Sequence, residues 1–358
     1  MANPLTRRLA VILSGVLLAG VIAAAATSVG GQERASASTS HARALAADTN
    51  APFRAGRLAQ AAITFRGGPI TTTSGEVVDV RVSDSLPLQT STPEGWAEFI
   101  AGLTHGSEIG ELRTYIVTFD EVQEICGSRA LGCYRGDEMV APGEVVADVS
   151  PEEVVRHEYG HHVAFHRLNA PWTAVDWGPK RWASAANVCA KVSRREAFPG
   201  DEGTNYARNP GEAWAEAYRL MDERKAGITT ATWPIVAPSF YPNEGALQAA
   251  EQDVLQPWAA ATSLAFTKVF GKKTAKVWWI PLTTPLDGDF RINATIASGG
   301  SADVALVGAD RRTVVRRAQW VGQRLKRLDS SICGRRSLFV RVTQKGPLGR
   351  VRVSVTTP

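Results

Sequence analysis

The middle of the chain reads SPEEVVRHEYGHHVAFHR at residues 150–167, and this stretch decides how the surrounding sequence is interpreted. Ser150 is a good helix N-cap, Pro151 suits the first helical position, and Glu153 completes a capping box. Glu152 and Glu153 also place negative charge at the positive end of the helix dipole. The sequence therefore predicts a helix that begins at residue 151 and ends at about residue 167.

His157 and His161 are four residues apart on this helix, so both imidazoles leave one face, and Glu158 stands about 100° further round. A catalytic zinc ion takes three protein ligands and keeps a fourth position for water, whose pKa it lowers to about 7. The pattern therefore predicts one zinc ion (Zn²⁺) on the two histidines, with Glu158 as the general base. His162 and His166 do not share this direction and are interpreted as structural or exposed side chains.

A third ligand must come from outside this helix, and residues 209–221 (NPGEAWAEAYRLM) contain two candidates. Glu212 and Glu216 share one face of a predicted helix whose remaining residues are mainly Ala, Trp, Tyr, Leu and Met, which suits a buried element. One carboxylate at that spacing can bind zinc while the other accepts a hydrogen bond from a ligand imidazole. The alternative is that both belong to an acidic, solvated helix face.

Three stretches together resemble the HExxH zinc peptidases called gluzincins, and most closely the bacterial lethal-factor type of metalloendopeptidase. They are His-Glu-aromatic-Gly-His at 157–161, Glu-x-aromatic-Ala-Glu-Ala-aromatic-Arg-Leu-Met at 212–221, and Tyr206. The resemblance implies that Glu212 is the third zinc ligand and that Tyr206 stabilises the oxyanion of the tetrahedral intermediate. Tyr206 stands six residues before Glu212, one fewer than in the family member compared, so a packed loop tyrosine is the alternative.

The chain has 358 residues, of which 44% are hydrophobic and 21% charged, so it is long enough for two folded domains. Its net charge of +5 accompanies no recognisable nucleic-acid module, and nucleic acid is not an expected partner.

Four cysteines allow three disulfide connectivities; Cys126 with Cys133 closes a short loop, which leaves Cys189 with Cys333. A zinc site made of all four cysteines is disfavoured because no Cys-x-x-Cys spacing occurs.

The N-terminus has the layout of a secretory signal peptide, because Arg7-Arg8 precede an apolar run from Leu9 to Ala26. We therefore expect a signal peptide at residues 1–26 and a secreted or extracellular protein. An uncleaved membrane anchor, with cell-surface association, is the alternative, since a spanning helix needs about 20 apolar residues. Residues 27–57 are rich in Ala, Ser, Thr and Arg and are expected to be a flexible N-terminus or a short pro-segment.

The predicted fold class is α+β, with a zincin-like catalytic domain at 58–270 and a small all-β sandwich at 275–358. In the first domain we expect a small mixed sheet, with strands near 75–82, 112–119 and 138–149. The helices besides the one at 151–167 are expected near 94–103, 183–194, 211–225 and 244–258. In the second, six alternating runs are expected to be strands, at 277–280, 290–296, 303–307, 313–317, 338–342 and 351–355.

Two further expectations concern the surroundings of the metal. A zincin scaffold presents an edge strand above the metal helix for a peptide to pair with, and residues 138–146 are predicted to be that strand. Trp172, Trp177 and Trp182 either line a substrate groove or pack the core, and core packing is the prediction.

These features together predict a secreted, monomeric zinc metalloendopeptidase that acts on protein or peptide substrates. One alternative is a secreted surface-binding protein in which the zincin domain is degenerate. Another is a zinc hydrolase of non-peptide amides. No stable membrane partner is expected unless the N-terminal segment stays uncleaved.

Overall fold

The computed structural model describes residues 63–229, 235–334, 337–346 and 349–358. They form a mixed α and β structure with several sheets, and the later part of the chain is sandwich-like. The signal peptide predicted at 1–26 and the N-terminal segment predicted at 27–57 lie outside the described residues.

A five-stranded mixed sheet underlies the first part of the chain. Its strands are β1 (Phe65–Thr71), β2 (Val77–Ser83), β3 (Arg113–Val117), β4 (Cys133–Arg135) and β5 (Glu138–Pro142). Their order is β1-β2-β3-β5-β4, in which β3 is parallel to β2 and β5, while β1 and β4 are antiparallel to their neighbours. Alternate residues of β2 are valines that lie in the core, as strand geometry requires.

Strand β5 is internal, which corrects the prediction that residues 138–146 form the edge of the sheet. β5 pairs with β3 on one side and with β4 on the other, so β4 is the terminal strand of the sheet as far as the described residues go. The three residues of β4 are too few to show an alternating pattern, which is why it was missed. The strand range predicted at 138–149 is shorter in the structure, since β5 ends at Pro142 and an isolated bridge joins Val146 and Val149.

The described residues contain eight α-helices. They are α1 (Pro93–Ala101), α2 (Phe119–Cys126), α3 (Pro151–Phe165), α4 (Ala174–Trp177), α5 (Lys180–Ala185), α6 (Val188–Ser193), α7 (Pro210–Lys225) and α8 (Glu244–Leu255). Short 3₁₀ helices lie at Ser107–Glu111, Tyr206–Arg208 and Pro238–Phe240. Helix α1 packs on β1 and β2, and α3 packs between β5 and α7.

Two of the predicted helices differ from those in the structure. The helix expected at 183–194 is split into α5 and α6, because Asn187 between them adopts a left-handed conformation with φ 55°. The helix expected at 244–258 ends at Leu255. The helices at the site, α3 and α7, match their predicted ranges within a few residues.

The three tryptophans that follow α3 are engaged in packing. Trp172 lies in a small hairpin of β6 (Leu168–Asn169) and β7 (Trp172–Thr173), where its ring stacks on that of Trp177 with centroids 4.5 Å apart. Trp182 is buried and meets Trp214 edge-on at 5.8 Å. Trp182 therefore belongs to the core, while Trp172 and Trp177 form a half-buried stack beside it.

Two antiparallel sheets make up the later part of the chain. Their strands are β8 (Thr262–Val269), β9 (Val277–Thr283), β10 (Gly288–Ile296), β11 (Ala302–Gly308), β12 (Val314–Arg317), β13 (Gln319–Trp320), β14 (Leu325–Ile332), β15 (Ser337–Gln344) and β16 (Arg350–Thr357). One sheet has the order β13-β14-β10-β16-β8 and the other β12-β11-β15-β9. Their buried faces share one hydrophobic cluster, separate from the two clusters of the first part.

All six strands predicted in this region are present, and three more occur that the prediction missed. Strand β8 pairs with β16 along its whole length, so the predicted boundary at residue 270 separates β8 from its own sheet. Most of its side chains are exposed, and its sequence shows little alternation. Strand β14 was not predicted because charged residues surround its buried Leu328, and β13 was not predicted because two residues are too few to show an alternating pattern.

Two disulfides are present with the predicted pairing. Cys126–Cys133 joins the end of α2 to β4, and Cys189–Cys333 joins α6 to the segment between β14 and β15. Disulfides of this kind are consistent with a secreted or extracellular protein. Within the described ranges, no helix has the length and apolar character needed to cross a bilayer.

Candidate metal centre

Helices α3 and α7 approach each other closely, and between them they carry every residue of the predicted metal site except Tyr206. A Cβ atom on Gly160 of α3 would lie 2.8 Å from Ala215 Cα of α7, so only glycine permits this separation. Trp214 Nε1 donates a 2.6 Å hydrogen bond to the Gly160 carbonyl oxygen across the same contact. The two helices are therefore held at a distance that short side chains can bridge.

Both helices begin at residues whose side chains cap them. The Ser150 hydroxyl accepts from the Glu153 amide at 3.2 Å, and the Glu153 carboxylate accepts from the Ser150 amide at 2.9 Å. The Asn209 side chain accepts from the Gly211 amide at 3.0 Å, and Pro210 occupies the first position of α7. The capping residues thus define where each helix starts, as the sequence predicts for α3.

Three buried ligand atoms from the two helices converge on one point. His157 Nε2 lies 3.2 Å from His161 Nε2 and 3.2 Å from Glu212 Oε2, while His161 Nε2 lies 3.5 Å from Glu212 Oε1. A tetrahedral zinc ion bonded at 2.0–2.1 Å separates neighbouring ligand atoms by roughly 3.3 Å. The three side chains therefore fit a single ion of that size, and their imidazole and carboxylate groups suit zinc chemistry.

The charges of the three side chains depend on one another. Burial alone would raise the pKa of the Glu212 carboxyl, but His161 and His157 outweigh burial and hold it well below its usual range. Burial likewise disfavours the charged form of His157, whereas Glu212 and Glu216 raise its pKa well above the usual value. Glu212 is therefore ionised at neutral pH, which is the form that binds a cation.

Glu158 lies beside this cluster and is fully buried. Neither of its carboxylate oxygens has a hydrogen-bond partner among the described residues. Burial raises the pKa of Glu158 above its usual value, and the nearby His157 and His161 offset only part of that rise. A buried, unpaired carboxylate next to a set of metal-binding groups is typical of a functional residue rather than a structural one.

Glu216 lies behind His157, on the side away from the ligand cluster. Its Oε1 atom is 3.3 Å from His157 Nδ1, and its Oε2 atom accepts a 2.8 Å hydrogen bond from Arg219 Nε. Arg219 is itself anchored by a 2.8 Å hydrogen bond to Glu223. Burial raises the pKa of Glu216, but Arg219 and His157 lower it to about 2. Glu216 is thus placed to orient His157, in the position predicted for it.

Tyr206 comes to the centre from the 3₁₀ helix that precedes α7. Its hydroxyl donates a 2.6 Å hydrogen bond to Glu212 Oε2, the oxygen that also faces His157. The ring is buried, and burial together with the Glu212 carboxylate raises the pKa of Tyr206 well above its usual value. The structure therefore brings Tyr206 to the predicted ligand set as a neutral hydrogen-bond donor.

A segment that the sequence did not indicate also borders the centre. A Cβ atom on Gly132 would lie 2.9 Å from Glu158 Oε1 and 2.7 Å from Val154 Cγ1, so the backbone just before β4 passes directly over Glu158. Only the disulfide prediction pointed to this region, since Cys133 follows Gly132 and is tied to α2. The terminal strand of the sheet thus runs beside the predicted general base.

The structure also contains a second group of side chains that could hold a metal ion, which was not predicted from the sequence. His162 and His166 lie together with Asp137, from the turn between β4 and β5, at the far end of α3 from its cap. The signal in the sequence is the same four-residue histidine spacing as in the 157–161 pair. These two histidines leave α3 in a different direction from His157 and His161, so the spacing alone does not join them to the first site.

Comparisons with known proteins identify no family for the chain. No protein-family model matches it, and no curated protein matches it. Among solved structures, it is similar to the pre-peptidase C-terminal domain of a collagenase from Bacillus anthracis, with 13% identity, coverage of 27% of this chain and 89% of that chain, and a TM-score of 0.22. It is also similar to PliG of Aeromonas hydrophila, a periplasmic inhibitor of g-type lysozyme, with 10% identity, 27% and 86% coverage, and a TM-score of 0.20. At these TM-scores neither likeness supports a function.

Proposed function

We propose that this chain is a secreted zinc metallopeptidase of the gluzincin type, with a zincin-like first domain that hydrolyses peptide bonds. The observation that carries the proposal is the triangle of ligand atoms from His157, His161 and Glu212 beside the unpaired, buried carboxylate of Glu158. Ligand atoms of these types at these separations suit zinc. An additional buried carboxylate without a partner supports a catalytic role.

In this proposal one zinc ion is held by Nε2 of His157, Nε2 of His161 and the Glu212 carboxylate. When bound, the ion supplies Lewis-acid polarisation of the scissile carbonyl and lowers the pKa of water at its open position. Glu216 Oε1 lies 3.3 Å from His157 Nδ1, where its negative charge favours the proton on Nδ1 and so leaves the Nε2 lone pair for the ion.

Glu158 acts as the general base. One of its carboxylate oxygens takes a proton from the attacking water, and the same group then delivers a proton to the amine that leaves. Its raised pKa brings it closer to neutral pH, where an efficient base and acid must titrate. Burial beside Gly132 keeps bulk water from competing for the carboxylate.

Tyr206 supplies a hydrogen bond to the substrate. Its hydroxyl, now 2.6 Å from Glu212, turns to the carbonyl oxygen as negative charge develops there. A donor that stays protonated is required for this role, and the raised pKa of Tyr206 keeps its proton in place at neutral pH.

A peptide is the substrate class that the surroundings favour. Among the described residues, strand β4 ends the sheet, and a terminal strand is where an extended chain adds by β-augmentation. The segment before β4 lies over Glu158, so a chain paired there runs past the proposed base. This replaces β5 with β4 as the strand that binds the substrate.

Zinc content and casein hydrolysis, measured on wild type and Glu158→Gln, test the proposal. We expect wild type to hold zinc at the first site and cleave casein, and Glu158→Gln to retain that zinc while activity falls by at least about 10²–10⁴-fold. Glu152→Gln, on the same helix but away from the cluster, is the matched control and should behave as wild type.

Three results would count against the proposal. Full activity of Glu158→Gln would remove Glu158 from the reaction. Absence of zinc from wild type, or equal zinc in His161→Gln, would remove the metal centre and favour the surface-binding alternative. Cleavage of small amides but not of casein would favour the non-peptide hydrolase.

A further inference from the structure

A second cluster of potential metal ligands lies where the turn between β4 and β5 meets the end of α3. Asp137 Oδ1 is 2.6 Å from His166 Nε2 and 3.6 Å from His162 Nδ1. Gly136 and Asp137 both have positive φ, 52° and 67°, which bends the turn toward the helix. One carboxylate and two imidazoles thus come together from two different elements.

The orientation of His162 leaves one nitrogen available as a ligand. The ring is fully buried, and its Nε2 atom lies 2.8 Å from the Glu108 carbonyl oxygen, which can only accept a hydrogen bond. Nε2 therefore carries the proton, and Nδ1 presents its lone pair toward Asp137 and the Tyr134 hydroxyl, 3.1 Å away. A carbonyl that fixes the far nitrogen of an imidazole is a common support for a metal-binding histidine.

We propose that Asp137, His162 and His166 form a second divalent-metal site, of zinc type, separate from the predicted catalytic centre. Two imidazole nitrogens and a carboxylate oxygen are a zinc donor set, whereas calcium and magnesium prefer oxygen alone. An ion bound here joins the β4–β5 turn to α3, the helix that carries the first site. It thereby holds β4 in place beside Glu158.

The two distances to Asp137 require only a small adjustment to accept the ion, and all three ligand atoms lie within 4.8 Å of one another. Tetrahedral bonds of 2.0–2.1 Å place ligand atoms roughly 3.3 Å apart, so the His162 to Asp137 distance of 3.6 Å already fits. The contact between His166 Nε2 and Asp137 Oδ1 must open by less than about 1 Å, and His166 Nε2 must release its proton to solvent. The Tyr134 hydroxyl must turn away from His162 Nδ1, keeping its own proton. The side chains of Asp137 and His166 are 38% and 25% exposed, which gives the ion a path from solvent and room for a fourth, water ligand.

Zinc binding by the full chain tests this site directly. After chelator treatment, the protein is dialysed against zinc chloride, and bound zinc is counted for wild type, His166→Gln and Asp137→Asn. We expect each variant to bind one zinc equivalent fewer than wild type. His105→Gln, which changes a histidine outside both clusters, is the matched control and should bind as many equivalents as wild type.

A second measurement separates this site from the first. In a His161→Gln background, which removes a ligand of the catalytic centre only, zinc chloride should still raise the unfolding temperature, and adding His166→Gln should abolish that rise. If the catalytic proposal fails, the loss of one equivalent in His166→Gln remains. Equal zinc binding by wild type, His166→Gln and Asp137→Asn would overturn the second site, leaving an Asp137–His166 hydrogen bond in its place.

Discussion

Gly160 is the residue at which the two helices of the metal centre come closest. Replacing it with alanine puts a methyl group 2.8 Å from Ala215 Cα, where backbone rather than a flexible side chain must move. We expect Gly160→Ala to lower the free energy of unfolding by about 1–3 kcal/mol, as overpacking does in other cores. Because Glu212 moves away with α7, zinc affinity should fall as well. Urea denaturation and zinc content measure the two effects.

The matched control for this change is Gly245→Ala. Gly245 lies in the first turn of α8, and the nearest atom to its added Cβ is Asn243 Oδ1 at 3.5 Å, an ordinary contact. Alanine is the better helix former by about 1 kcal/mol, so this variant should be as stable as wild type or more so. Similar losses in both variants would mean that the close helix crossing is not what makes Gly160 necessary.

At the scale of single residues, the sequence could predict those groups that one helix brings together. His157, His161 and Glu158 follow from helical periodicity, which is a local property of the chain. Glu212 and Glu216 were candidates because they share one face of a buried helix, and the resemblance chose Glu212 as the ligand. That Glu212 faces the histidines depends on the packing of α7 against α3, which no local pattern gives. Asp137 meets His162 and His166 through a hairpin whose first strand was not recognised, so no local pattern could reveal that contact.

Helices α5 and α8 are joined by one buried carboxylate. Asp253 accepts a 2.8 Å hydrogen bond from the Trp182 amide and lies 3.3 Å from Arg181 Nη1. Burial outweighs these contacts and raises the pKa of Asp253 from the usual 3.8 to about 6. The folded protein therefore binds this proton more tightly than the unfolded chain does. Its contribution to stability is fully present below about pH 4 and is lost as the pH rises through 6.

Asp253→Asn should remove this pH dependence. A shift from 3.8 to about 6 corresponds to about 3 kcal/mol in total, most of which is lost between pH 4 and pH 7, so relative to wild type the variant should gain roughly 2 kcal/mol over that range. Urea denaturation at the two pH values measures the difference. Asp120→Asn, on the exposed side of α2, is the control and should parallel wild type. A constant gap between Asp253→Asn and wild type would show that the carboxylate stays charged throughout.

Helices and strands could be predicted where residues close together in the sequence determine them. Helix α3 begins at a capping box, which depends on four consecutive residues, and its start was predicted correctly. Strands β4, β8 and β14 depend on partners far along the chain, which supply the pairing that their own sequences barely indicate. β5 was predicted to be an edge strand because its neighbour β4 could not be recognised from the sequence.

Among the described residues, two hydrophobic clusters lie in the first part of the chain and a third fills the sandwich. Polar contacts and a disulfide link the two parts. The Asp287 amide donates a 2.9 Å hydrogen bond to the Ser184 hydroxyl, and Lys180 Nζ lies next to Gly288 at the start of β10. The Cys189–Cys333 disulfide links the same two parts of the chain covalently. Only the disulfide could be predicted from the sequence, because elimination among four cysteines leaves that pair once the short loop is closed.

The two disulfides should differ in what they contribute to stability. In the chain-entropy view, a bridge between residues 144 apart restricts the unfolded chain by about 5 kcal/mol, and one between residues 7 apart by about 2–3 kcal/mol. The double variant Cys189→Ser with Cys333→Ser should therefore be the less stable of the two double variants in urea denaturation.

Zinc binding should depend more on the Cys126–Cys133 disulfide than on the Cys189–Cys333 disulfide. Cys126–Cys133 anchors the segment that passes over Glu158, so removing it by Cys126→Ser with Cys133→Ser should disturb the centre and the neighbouring β4–β5 turn. Removing Cys189–Cys333 leaves both metal clusters untouched and should leave zinc binding unchanged while the protein stays folded. If the variant without Cys189–Cys333 loses zinc while it is still folded, the contacts between the sandwich and the first part of the chain must support the geometry of α3 and α7.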